Sequence, residues 1–158
     1  MTNTYKRVSA ALLSVLLLCM FTFGERAASS LNVGIKFWKE RSDKESMANT
    51  GIDASRDVTL TRQSNGTYTL TLPIQQVSKM GVTGYLSGLT IGDVTYTGTV
   101  SGDVAKGTAV LTIKNLPASV LTGSDVNKSV LVTCNIQMDL QVLGEINTSA
   151  RMCIWNQK

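Results

Sequence analysis

The stretch "DVTLTRQSNGTYTLTLPI", Asp57 to Ile74, alternates β-branched or apolar residues with polar ones on both sides of Asn65-Gly66. Alternation at period two turns one face of a strand inward. Asn-Gly between two such runs is the strongest short hairpin signal, because both residues tolerate positive φ. The texture recurs in "LNVGIKFW", "VTGYLSGLTIGDVTYTGTV", "GTAVLTIKNL", "SVLVTCNIQMDLQV" and "INTSARMCIW", with glycines at turn spacing. Only Pro73 and Pro117 interrupt. No helical period is present, and the segment from Arg41 to Thr50 is too short and polar for more than one helical turn. The expected fold is all-β: an antiparallel sandwich with a short helical turn near residues 43–49.

Ahead of this pattern, residues 1–29 read as an export signal. Lys6 and Arg7 form a charged start, "AALLSVLLLCMFTFG" an apolar middle, and Ala27 to Ser29 a small-residue cleavage region. The apolar run is shorter than the roughly twenty residues of a membrane span. Cys19 follows a leucine where a lipid-attachment signal wants a small residue. Cleavage, or anchoring by an uncleaved signal, is expected, so any membrane association would run through this segment. Residues 30–158 then form one domain, a length sufficient for its own core. Loss of Lys6, Arg7, Arg26 and Glu25 takes the net charge from +4 to about +2. No basic stripe interleaved with aromatics remains, so a nucleic-acid surface is excluded. The chain ends at Lys158 without a sorting tail, as expected of a secreted or signal-anchored protein.

The chain contains no histidine. That removes histidine acid–base chemistry, Ser-His triads and histidine metal sites. Of the three cysteines, Cys134 and Cys153 lie beyond the signal, and an oxidising compartment makes a disulfide between them a candidate. The alternation speaks against it. Val130, Val132, Cys134, Ile136, Met138 and Leu140 share one face, whereas Ala150, Met152 and Ile154 leave Cys153 on the other face with Arg151. A hairpin turning at Leu143-Gly144 sets the cysteines directly opposite, and reconciling that with alternation takes a bulge. With Cys134 on an apolar face and carboxylates scattered over loops, an enzyme is not expected.

"KFWKERSDKESMANTG", Lys36 to Gly51, crowds Lys36, Lys39, Glu40, Arg41, Asp43, Lys44 and Glu45 together and then ends on Ser46-Met47-Ala48. The charges suit a solvated loop, but the methionine does not. Met47 either plugs the end of the core or faces a ligand. Trp38 and Trp155 read as core or rim aromatics, and Tyr68, Tyr85 and Tyr96 as strand residues. The Asn-x-Ser/Thr triplets at Asn65, Asn127 and Asn147 would be glycosylation acceptors in a eukaryotic secreted chain, and otherwise read as turn and strand polar residues.

This segment resembles the start of the near-iron-transporter (NEAT) domains of Gram-positive bacterial surface proteins. In those, a strand and a charged segment lead to a helical turn bearing Ser-Met-Ala. "DVTLTRQSNGTYTLTLPI" is similar to the family's next hairpin, "LTIKNLPASV" to a later strand, and Arg151 in "SARMCIW" to an arginine of its last strand. The resemblance runs from Val33 to Trp155. It implies an immunoglobulin-like sandwich holding haem between the turn and the final hairpin. It also implies Ser46 as a propionate contact and Met47 as a pocket wall. The family's two tyrosine positions fall on Gly144 and Thr148, which offer no phenolate, and Thr148 stays as a haem-binding candidate by position. A methionine can substitute, since thioether sulfur ligates haem iron. Met138 or Met47 is then the candidate axial ligand, against the plainer reading that both fill space.

Two functions follow from the resemblance. One is a secreted or cell-surface bacterial module that captures haem, or a haem-carrying host protein, for iron uptake. The alternative is a NEAT-like sandwich without a haem site, binding protein as an adhesion module through its charged loop or a strand edge.

Overall fold

The computed structural model describes residues 28–79, 81–139 and 144–157. The candidate signal up to residue 27 lies outside them, as does Leu140 of the apolar face. The described chain is a β-sandwich. Its strands are β1 (Ser30–Lys39), β2 (Val58–Arg62), β3 (Tyr68–Pro73), β4 (Val77–Lys79), β5 (Val82–Ile91), β6 (Val94–Thr97), β7 (Thr99–Ser101), β8 (Val110–Leu116), β9 (Val130–Met138) and β10 (Glu145–Asn156). All pair antiparallel in the order β4-β5-β9-β10-β1-β2-β3-β8-β7, with β6 also on β5. Among the described residues no helix is long and apolar enough to cross a membrane.

Strand β1 joins the two layers. Ser30 to Val33 pair with β2, and from Val33 to Lys39 the strand pairs with β10. Inward positions from both layers meet in one core. Phe37, Met152, Ile154 and Leu89 come from one layer, Leu60, Leu70, Leu72, Leu111 and Ile113 from the other, and all are fully buried. The alternation placed Met152 and Ile154 correctly, and the same rule holds across the sandwich, since one face of each strand is apolar and must be covered. Gly34, on the outer side of β1, has no side chain because the Trp155 indole lies over it. Tyr68, Tyr85 and Tyr96 pack against the core, as their strand positions suggested.

Three local expectations are corrected. The β2–β3 loop contains Asn65-Gly66, but three residues, not two, lie inside its closing bond: Gln63 N–H bonds to Thr67 O and only Gly66 of the loop takes positive φ, at 83°. Asn65 instead accepts from Thr67 N–H and Oγ1, the type I turn plus left-handed glycine of a longer hairpin. The helical turn is a 3-10 turn at Met47–Gly51, a few residues after its expected place, because Ser46 caps it.

The third correction concerns the cysteines. The register of the last two strands differs from the expected one: Thr148 stands opposite Cys134 and Glu145 opposite Gln137. Cys153 pairs with Lys36 of β1 instead. The two thiols are free and point to opposite faces of the same layer, where no disulfide can close. Alternation named the faces correctly but missed that Cys153 is covered. Strand β9 starts at Val130, opposite Met152, and beyond it the segment from Thr122 to Asp125 lies against β10, with Cys153 Sγ 3.5 Å from Asp125 O. Burial pushes the Cys134 thiol up to about 12.

Candidate functional site

The turn bearing Met47 is fixed by Asn49. Beyond Val33, β1 pairs with β10 on one side, and among the described residues no named strand flanks the other, leaving the Phe37 backbone to find partners there. The Asn49 side chain supplies both. Its Oδ1 accepts from Phe37 N–H at 2.8 Å and its Nδ2 donates to Phe37 O at 2.7 Å. Ser46 N–H also donates to Phe37 O, and Ser46 Oγ accepts from Ala48 N–H at 3.3 Å. At the other end Gln75 N–H donates to Gly51 O, and Ile52 bridges Ile74. With both ends tied to strands, Met47 stands at the rim, 51% exposed.

The preceding charges are organised by Arg151 of β10. Its guanidinium donates to Lys39 O, Ser42 O and Asp43 Oδ1, the last at 2.7 Å. Lys36 Nζ lies 2.5 Å from Glu45 Oε1 and over the Trp38 ring at 4.7 Å. These residues hold the loop in shape beside the turn and its cleft.

That cleft has a volume of about 260 Å³. Met47, Ala48 and Gly51 form one wall, and Val77, Val82, Gly84 and Leu86 of β4 and β5 a second. Ile136 and Met138 of β9 with Ile146 and Thr148 of β10 close the third. No charged residue lines it among the described residues, and there the Thr148 hydroxyl is the one side-chain oxygen. The two hairpins are held together beside Met138. Asp139 N–H donates to Thr83 O at 2.9 Å, and its carboxylate accepts from Thr83 Oγ1 and from Gln76 Nε2.

Three of the four sequence candidates, Met47, Met138 and Thr148, therefore line one cleft. Ser46 does not; it is 7% exposed and its oxygen caps the turn. None of Tyr68, Tyr85 and Tyr96 reaches the lining, and Tyr85 lies on the face of β5 away from Gly84 and Leu86. Gly144 immediately precedes β10, and its carbonyl accepts from Met138 N–H at 3.0 Å. Sequence reasoning missed Asn49, Gly84 and Asp139, whose roles lie in backbone contacts far along the chain.

A solved structure matches this fold. A point mutant of IsdX2-NEAT5, in complex with haem, aligns with 83% of this chain and 98% of its own, at TM-score 0.54 and 13% identity. The chain has a NEAT-domain fold. A second structure, the NEAT5 domain of the B. anthracis hemophore IsdX2 in complex with haem, covers the same shares at 13% identity and TM-score 0.48. No protein-family profile and no curated protein sequence matches. At 13% identity the NEAT likeness is one of architecture, and the cleft's chemistry has to be read from its own residues.

Those residues fit an iron porphyrin in one respect and redefine it in another. Apolar walls with a single hydroxyl suit the faces of a macrocycle, and the donor set for a metal is thioether rather than phenolate.

Proposed function

We propose that the chain is a secreted or surface-associated bacterial haem-binding module serving iron acquisition. The observation that carries this is the open apolar cleft between the Met47 turn and the β9–β10 hairpin. It is where the resemblance locates haem, and a haem-bound structure of the same fold supports the reading. The side chains of Val77, Val82, Leu86, Ile136 and Ile146 would bury the macrocycle. Covering several hundred Å² at about 25 cal/mol per Å² supports micromolar or tighter affinity after ordering costs.

Met138 or Met47 would hold the iron through its thioether in this reading, and the bound metal would supply redox chemistry. Thr148 offers its hydroxyl to the rim of the ring. Ser46, buried outside the lining with its oxygen on Ala48 N–H, serves this reading by capping the turn that carries Met47. A haem-carrying host protein is the natural source of the ligand. Adding hemin to the protein should give a saturable shift of the Soret band. No shift removes haem from the account and leaves a plain protein-binding sandwich.

A further inference from the structure

Gly84 of β5 pairs with Met138 of β9. A Cβ built on Gly84 would stand 3.0 Å from Met138 Sδ and 2.7 Å from Gln137 O. The absent side chain is thus the space in which the sulfur lies. The main chain beneath that sulfur is fixed on both sides, by Met138 N–H to Gly144 O at 3.0 Å and by Asp139 N–H to Thr83 O at 2.9 Å. Met47 brings a second thioether to the same lining. Among the described residues the lining offers no carboxylate, phenol, imidazole or thiol.

Two independent effects follow for a bound iron porphyrin. A thioether is a soft, neutral donor, and it favours ferrous over ferric iron. The ferric centre also carries a positive charge that the ferrous centre lacks, and an apolar cleft without an anionic donor leaves it uncompensated. Both effects act in one direction. We propose that the cleft holds reduced iron porphyrin in preference to the oxidised form, with the Met138 thioether, seated over Gly84, as the residue responsible. This rests on the haem reading above and assigns that site its redox selectivity. A tenfold affinity ratio between the two states corresponds to about 59 mV in midpoint potential for a one-electron couple.

The test is a spectroelectrochemical titration of the hemin-loaded protein and of Met138→Leu and Met47→Leu, with metal-free protoporphyrin binding measured beside it. Leucine conserves the volume of methionine, and protoporphyrin, which has no metal bond to lose, reports separately any change in the packing of the cleft. Ferrous porphyrin should bind the unmutated protein at least tenfold more tightly than ferric. Met138→Leu should lower the midpoint by at least the corresponding 59 mV or so. Equal affinity for the two states in the unmutated protein overturns the proposal while leaving haem capture standing, and needs no variant. A preference lost only in Met47→Leu overturns the assignment to Met138. Failure to bind hemin in either state, or protoporphyrin, overturns the haem reading itself.

Discussion

At Phe37 one side-chain amide stands where a neighbouring strand would otherwise be, and the turn that walls the cleft depends on it. Replacing Asn49 with alanine leaves the part-buried Phe37 N–H without its partner, while Phe37 O keeps the Ser46 N–H. The expected cost is about 1–3 kcal/mol, read from the urea midpoint, with hemin affinity falling alongside. Asp53 gives a pH-dependent counterpart. The Ser55 hydroxyl and then the Arg56 guanidinium, with Ser55 N–H, hold its carboxyl below its ordinary 3.8. A depressed folded value adds stability that is present above the unfolded value and lost as pH falls through the folded one. Asp53→Asn should therefore be less stable than the parent at neutral pH, and the gap should close as pH drops below 3.8 in acid-unfolding curves. Neither residue was legible in the sequence. Asn49 and Asp53 sit in polar segments where composition reads only as loop, and their partners are set by the tertiary fold.

Among the elements, the β9–β10 hairpin does most to shape the site, and it shows how far a pattern reaches. The shared face of Val132, Cys134, Ile136 and Met138 could be read directly, because a period of two needs no knowledge of the partner strand. The register could not. It depends on where the chain turns, and no Asn-Gly or Asp-Gly pair marks that point. The Met47 turn was found by its Ser-Met-Ala motif, yet displaced, since the charged run before it is held by a strand distant in sequence. Arg151 donates to two backbone carbonyls and one carboxylate in that run. The Asp43 side chain is 70% exposed, so Asp43→Asn should cost under about 1 kcal/mol. Arg151→Ala removes the carbonyl contacts as well and should cost more, with a lower thermal midpoint and faster amide exchange over residues 39–43.

For the molecule as a whole, the absence of helical periodicity and the recurrence of alternating runs were enough to give an all-β sandwich. What they could not give was how one strand serves two layers. The first residues of β1 carry the ladder to β2 and the rest carry the ladder to β10. A chain trimmed to begin at Gly34 forfeits the whole β1–β2 ladder but keeps most of β1–β10. Its urea midpoint should fall well below that of a chain beginning at Ser30. The start of β1 therefore acts as a seam. Any protease that nibbles past it loosens the half-sandwich of β2, β3 and β8 first, while the hairpins that carry Met138 and Thr148 stay stitched to what is left of the strand.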